Sequence, residues 1–115
     1  MRTEIPPGTL YMLILKAIAR LGPMHGYGIA LHIQQTTDEV LQVEEGSLYP
    51  ALQRLLKAKM VKAEWTISSS TNRRVRVYQI TIAGLHHLEH QISSFDRMLE
   101  GIQMVLGPER RTANS

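Results

Sequence analysis

The sequence contains no cysteine, few aromatic residues and no long hydrophobic run. Without cysteine, a disulfide, a thiolate metal site and a cysteine nucleophile are all excluded, and nothing indicates an oxidising compartment. Only six of the 115 residues are aromatic (one Trp, one Phe and four Tyr), so aliphatic side chains and methionine must form the core, which favours helices. The longest apolar run, Leu10 to Ala19, contains Lys16 and is too short to span a bilayer.

No signal-peptide pattern precedes that run, so we expect a cytoplasmic protein with no membrane partner. A chain of 115 residues fits one compact domain with one extra element attached, and a multi-domain enzyme is excluded. We found no arrangement of Ser, His and Asp and no glycine-rich phosphate loop, and we expect neither an enzyme nor a cofactor.

Basic residues are concentrated in one stretch of the chain. Thirteen Lys and Arg against ten Asp and Glu give a formal charge of +3. Seven of the thirteen lie between Arg54 and Arg76, where Glu64 is the only acidic residue, whereas residues 38–45 contain four acidic side chains and no basic one. This polarity favours oriented binding to a polyanion, although a basic surface that only faces solvent would have the same composition.

Repeats of apolar residues predict two helices in the first third of the chain. Thr9 is the predicted N-cap of the first, which ends at Gly22 and Pro23. Apolar residues also occupy its other face, so we expect it to be covered on more than one side, by a second chain. The second helix is predicted to begin at Gly26 and to end in the cluster 36–38.

A third helix is predicted after a short undecided segment. Val40, Leu41 and Val43 fit either a strand or a loop, because so few residues do not distinguish the two. The helix then follows Ser47, its predicted N-cap, with Pro50 in the first turn, where a missing N–H costs little.

The third helix has a leucine stripe on one face and Tyr49, Gln53, Arg54 and Lys57 on the other. Phenol, amide and cationic side chains are of the types that contact phosphates and base edges in DNA complexes. Gln53 is suited to adenine and Arg54 to guanine, each by paired hydrogen bonds, whereas Lys57 and Tyr49 more often hold phosphates. We therefore expect this helix to enter the major groove of double-stranded DNA.

Two strands are predicted next from alternation, over residues 61–67 and from Val75 to Ile80. The polar run between them is longer than a tight turn and ends in Arg73 and Arg74, which predicts a flexible basic loop. On DNA, these two arginines would reach the backbone or the minor groove.

Thr81 is predicted to cap a long final helix, which Gly107 and Pro108 end. Apolar residues recur in it at intervals of three and four, the heptad pattern of a coiled coil. The seam positions are Leu85, Leu88, Ile92, Phe95, Leu99, Ile102 and Leu106. We predict that this seam forms a dimer, with packing on its own domain as the alternative.

These elements predict a mainly α fold with a small antiparallel β-hairpin. Residues 1–81 would form a winged helix-turn-helix DNA-binding domain, residues 82–107 a C-terminal dimerisation helix and residues 108–115 a disordered tail. A homodimer of such domains requires a roughly palindromic operator.

The chain resembles the PadR-type transcriptional regulators over nearly its whole length. The resemblance rests on four segments in this order and spacing: GTLYMLILKAI, GPMHGYGIA, VEEGSLYPALQRL and NRRVRVYQITIAG. It implies a cytoplasmic, homodimeric, ligand-responsive repressor of the short subgroup, with a single C-terminal helix. Carried over residue by residue, it places DNA contacts at Tyr27, Ser47, Tyr49, Arg54, Arg73 and Arg74.

The sequence departs from that family at the end of the third helix. Lys59 stands where relatives usually have a glycine, which predicts a helix end different from the usual left-handed cap. The added charge is also placed to touch a phosphate.

Three further hypotheses remain open. Met12, Leu15, Phe95 and Met98 would line a pocket between the first and last helices for a small planar aromatic effector, as the resemblance implies, or would simply fill the core. The second is a winged-helix module that binds an acidic protein instead of DNA. The third, a zinc site at His86, Glu89 and His90, has no further ligand set, so we expect these side chains to be solvated and predict no metal.

Overall fold

The computed structural model describes residues 4–107, which form four helices and a three-stranded antiparallel sheet. The elements follow in the order α1 (Pro7–Leu21), β1 (Met24–His25), α2 (Gly26–Thr36), α3 (Glu45–Lys57), β2 (Val61–Ile67), β3 (Arg74–Ile80) and α4 (Ile82–Leu106). The predicted mainly α winged-helix fold with a long C-terminal helix is confirmed.

Helix α1 is the centre of the fold. Its buried side chains, among them Ile14, Leu15 and Ile18, meet α2, α3, α4 and β3. The elements that cover α1 on more than one side therefore belong to the same chain. Thr9 was wrong as the N-cap: the N-cap residue is Pro6, three residues earlier, and it makes no side-chain cap. Pro7 at the helix start has no N–H, so the first turn has one fewer donor for a capping side chain to satisfy.

The segment after α2 is not a strand. Leu41 makes only an isolated bridge, and Val43 is buried in the core. The Thr37 hydroxyl donates to the carbonyl of Ile33 (2.9 Å) and accepts from the N–H of Leu41 (3.1 Å), so it closes α2 and holds the loop against it. These local hydrogen bonds satisfy backbone groups that a strand would have had to pair.

Helix α3 starts two residues before the predicted cap, because Glu44 and not Ser47 is its N-cap residue. Pro50 consequently lies in the helix interior, where it leaves the carbonyl of Gly46 without its usual partner. The helix end is the usual left-handed one after all. Lys59 has a φ of 60°, and the N–H groups of Lys59 and Met60 bond the carbonyls of Leu56 and Leu55, as in a Schellman motif.

The sheet order is β1-β3-β2, and the predicted hairpin is its larger part. Arg74 pairs with Ile67 and is therefore the first residue of β3, not part of the loop. The loop has its own hydrogen bonds, from the N–H of Ser68 to Arg73 (2.8 Å) and from the N–H of Asn72 to Ser68 (2.8 Å). Strand β1 has only two residues, too few for an alternation pattern.

Helix α4 begins at a tight junction with the hairpin. The Thr81 hydroxyl accepts from the N–H of Gly84 (3.0 Å), which confirms the predicted cap, and it lies 2.7 Å from the carbonyl oxygen of Lys59. A Cβ on Gly84 would lie 2.1 Å from the carbonyl oxygen of Met60, so only glycine fits. The first half of α4 packs against the domain through Leu88 and Ile92, and the second half extends beyond it. The described part of the molecule measures 53 × 30 × 22 Å.

Candidate nucleic-acid interface

A groove of about 570 Å³ separates the start of α2 and the exposed face of α3 from the hairpin. The hairpin forms one wall and the two helices form the other. Side chains able to contact a nucleic acid line both walls: Tyr27, Tyr49, Gln53, Trp65, Arg74 and Arg76. The structure thus brings together aromatic, amide and cationic groups that lie up to fifty residues apart in the sequence.

Four of the predicted DNA contacts lie in this groove: Tyr27, Tyr49, Gln53 and Arg74. Both tyrosines are exposed, at 60% for Tyr27 and 44% for Tyr49. The ring of Tyr49 lies against Gly26, where an added Cβ would come within 3.1 Å of it. The absence of a side chain at the start of α2 therefore allows the two helices to approach at the groove.

The other four predicted contacts surround the groove without lining it. Ser47 is exposed in the first turn of α3, and Lys57 is exposed at the last position of that helix. Arg73 is exposed in the hairpin loop, one residue before the strand. Arg54 is exposed too, but it lies on the side of α3 that faces α1.

Arg54 is tethered to helix α1. Its Nη1 donates a hydrogen bond to the Tyr11 hydroxyl over 2.8 Å, across 43 positions of sequence. This hydrogen bond raises the pKa of the Arg54 guanidinium above its ordinary value, and the group stays charged at any physiological pH. The remaining N–H groups of the guanidinium are free to reach a phosphate or a base.

The start of α2 is organised by a histidine that the sequence analysis missed. His25 is the N-cap residue, and its Nδ1 accepts the N–H of Gly28 over 2.9 Å. Histidine is not among the preferred N-cap residues, so composition alone does not reveal this role. The cap fixes the beginning of α2 beside Tyr27, within the groove wall.

The sequence analysis also missed the inner face of the hairpin, which is the face that lines the groove. The register pairs Trp65 with Arg76 and Ala63 with Tyr78, so the residues of these pairs share one face. Tyr78 is buried and anchors that face, while Val77, which the alternation favoured, pairs with Glu64 on the opposite face. Trp65 remains 58% exposed, with the guanidinium carbon of Arg74 at 4.7 Å and that of Arg76 at 5.8 Å from its ring centroid.

The predicted seam on α4 divides into two parts. Leu88 is buried in the core of its own chain, and Ile92 packs against that core. The distal positions Leu99, Ile102 and Leu106 are exposed at 39%, 44% and 49%, and Leu85 at 39%. Phe95 is half-buried and lies between Ile92 and the exposed distal positions.

A second groove, of about 350 Å³, lies between the start of α1 and the middle of α4. Three of the four predicted effector contacts line it: Met12, Phe95 and Met98. Leu15 does not, since it is fully buried in the core. Gln91 also lines the groove, and its Oε1 is buried without a hydrogen-bond partner.

Within residues 4–107, no three or more His, Cys, Asp or Glu side chains lie close enough together to hold a metal ion. None of the described helices is long and apolar enough to cross a membrane.

Comparison with known proteins gives consistent matches. The model of the PadR-like family of transcriptional regulators matches residues 14–90. A transcriptional regulator from Clostridium thermocellum shares 26% identity, with a TM-score of 0.75 over 83% of this chain and 90% of that one. A PadR-like transcriptional regulator from Bacillus cereus shares 28% identity, with a TM-score of 0.72 over 86% and 92%. An uncharacterised protein from Lysinibacillus sphaericus is 29% identical over 105 residues, which are 91% of this chain and 94% of that protein.

Proposed function

The chain belongs to the PadR-like family of transcriptional regulators, and on this basis we propose that it is a cytoplasmic, ligand-responsive repressor that binds a roughly palindromic operator as a homodimer. The observation that supports DNA binding best is the groove itself. One wall presents Tyr49 and Gln53 from α3, and the other presents Arg74 and Arg76 from the hairpin. A helix that reads base edges beside a basic wing that holds the backbone is the arrangement of a winged helix-turn-helix protein on DNA.

The test is binding to a duplex from the protein's own upstream promoter region, by mobility shift at two salt concentrations with random duplex as competitor. We expect a complex that resists the competitor and weakens linearly in log affinity against log salt. The absence of any complex at low salt would contradict the proposal.

Substitutions separate base reading from backbone contacts. Arg54→Ala and Arg74→Ala are both expected to weaken the complex, and only Arg54→Ala is expected to change base preference. Equal losses on every duplex would show that Arg54 is a phosphate contact.

The alternative is a winged-helix module that docks an acidic protein through Tyr49 and the basic loop. It is distinguished by the same assay, because such a module would bind the operator duplex and random duplex equally or not at all.

The effector proposal rests on the groove between α1 and α4. Met12, Phe95 and Met98 supply an apolar wall, and the unpartnered Oε1 of Gln91 supplies one hydrogen-bond acceptor. A planar aromatic molecule with a hydroxyl or amino donor fits this combination, because it would satisfy the buried oxygen that now lacks a partner.

A thermal-shift screen of planar aromatic compounds tests this proposal. At a ligand concentration of one hundred times Kd, binding adds about 2.7 kcal/mol to the free energy of unfolding. Gln91→Leu should abolish the preference for compounds with a donor and keep that for apolar ones. No shift across a broad panel would contradict the pocket.

A further inference from the structure

We propose that Arg76 is a phosphate contact of the DNA interface and that Trp65 positions it, together with Arg74. The inference rests on the proposed function and adds two residues to it. Neither residue was identified as a contact from the sequence, because their meeting depends on the register of the hairpin.

The register places these side chains on the inner face of the sheet. Trp65 lies directly opposite Arg76, and Arg74 lies opposite Ile67, two positions along the same face. Side chains opposite one another in an antiparallel pair are close enough to touch, and diagonal neighbours are within reach of long side chains. This face forms the hairpin wall of the groove, where Trp65, Arg74 and Arg76 all line the cavity.

Aromatic rings hold the Arg76 guanidinium from two sides. Its central carbon lies 5.8 Å from the ring centroid of Trp65 and 5.9 Å from that of Tyr78. Cations at such distances are attracted by the ring faces, and contact with a face leaves the N–H edges of the guanidinium free. Arg74 uses the same ring more closely, at 4.7 Å, so one tryptophan orders two arginines.

Among the described residues, Arg76 also lacks a hydrogen-bond acceptor for one of its N–H groups. Its Nε is buried and has no hydrogen-bond partner. The nearest acidic residue in the hairpin, Glu64, pairs with Val77 and therefore points to the opposite face. A buried donor without a partner is costly, and a shift of the guanidinium toward an oxygen-rich anion in the groove would expose the Nε–H to an acceptor and remove that cost. In a groove beside a DNA-reading helix, that anion is a backbone phosphate.

The exposure of Trp65 fits a positioning role. It is the only tryptophan of the chain, and more than half of its surface is open to solvent. A large apolar ring is stabilised mainly by burial, so its place at the groove edge is explained by the two cations stacked on it.

The experiment measures the affinity of purified variants for a labelled promoter duplex by fluorescence anisotropy over a range of salt concentrations. Arg76→Gln should lose about tenfold in affinity, because a hydrogen bond to a charged group is removed, and its salt slope should fall by about 0.9, as expected for one phosphate. Trp65→Leu should lose affinity by a smaller factor, and Trp65→Phe should restore most of it, since a ring face is retained.

Lys62→Gln is the matched control, because Lys62 is in the same hairpin on the outer face, opposite Gln79. Its affinity and salt slope should equal those of the unmodified protein. Thermal unfolding of each variant shows whether the fold persists. If Arg76→Gln unfolds, Arg76→Lys replaces it: the salt slope should persist and the affinity should fall, because lysine keeps the charge but lacks the planar fork.

The outcomes separate the two proposals. An unmodified protein without a specific, salt-sensitive complex overturns the proposed function. A specific complex that Arg76→Gln, or Arg76→Lys in its place, leaves unchanged in affinity and slope overturns the inference about Arg76. Trp65→Leu with the affinity of the unmodified protein overturns the positioning role of Trp65.

Discussion

At the residue scale, a hydrogen bond joins Tyr11 on the central helix α1 to Arg54 on the side of α3 that faces α1. The hydrogen bond of 2.8 Å between them restricts a long side chain that would otherwise sample many rotamers at the surface. A restricted arginine loses less entropy when it binds DNA, so we expect Tyr11 to increase the affinity for DNA without touching the DNA itself.

The corresponding prediction is a loss of affinity in Tyr11→Phe. One neutral donor or acceptor contributes about 0.5–1.5 kcal/mol, so operator binding should weaken about two- to tenfold. Anisotropy titration measures the effect, and thermal unfolding should be almost unchanged because Arg54 is exposed. In the Arg54→Ala background, Tyr11→Phe should have no further effect on DNA binding; additive losses would show that Tyr11 acts by another route.

Lys59 adopts a left-handed conformation in which glycine is preferred. We predict that Lys59→Gly raises the free energy of unfolding by about 0.5–1 kcal/mol, since relief of the left-handed strain exceeds the entropy that glycine adds to the unfolded chain. Urea unfolding at one protein concentration measures it. Lys59→Ala is the control and should give no gain; an equal gain would assign the effect to the removed charge.

At the level of elements, the junction of β2, β3 and α4 sets the direction of the long helix. Thr81 binds the backbone at Lys59 and Met60 and caps α4, while Gly84 lets the helix touch the Met60 carbonyl. The sequence predicted the cap correctly, because capping is a local property of adjacent residues. The close approach at Gly84 was not predictable, because it involves a partner 24 positions away.

Gly84→Ala should therefore destabilise the protein. The new Cβ would lie 2.1 Å from a backbone oxygen, and such overpacking costs about 1–3 kcal/mol. Gly101→Ala is the matched control, because that glycine is in the same helix and, apart from the helix's own backbone, no described residue lies within 4 Å of the added carbon. This substitution should stabilise the protein by up to about 1 kcal/mol. Differential scanning calorimetry compares them; a stabilised Gly84→Ala would show that the junction relaxes freely.

At the level of the whole molecule, α4 has an apolar surface that the described residues 4–107 do not cover. Leu99, Ile102 and Leu106 continue the heptad pattern beyond the domain, and Met104 and Val105 are exposed at 79% and 87%. Exposed apolar positions that continue a heptad pattern are typical of an interface, and we propose that a second copy with the same heptads covers them.

We predict that Leu99→Lys shifts the protein from dimer to monomer in multi-angle light scattering, because a charge would be buried in the seam. Ser93→Lys is the control, since it adds the same charge at an exposed position of α4 that is not part of the seam. Leu88 is unsuited to this test, because it is only 4% exposed within its own chain and a lysine there would disrupt the fold. A dimeric Leu99→Lys would contradict the assignment of the seam.

The sequence by itself determined the order and type of nearly all elements. Periodicity and caps are local properties, so the four helices, the hairpin and the Thr81 cap followed from neighbouring residues, and so did the exposed face of α3. The errors fell on helix starts, since Pro6 and not Thr9 precedes α1, and Glu44 and not Ser47 precedes α3.

Only the tertiary structure decided which distant side chains meet. Tyr11 and Arg54, or Trp65 and Arg76, are joined by helix packing and strand register, which no local pattern specifies. Packing also placed Leu15 in the core rather than in a pocket. Local periodicity gives each residue a face of its element, whereas the partner on that face depends on how the elements dock, and contacts between elements are long-range.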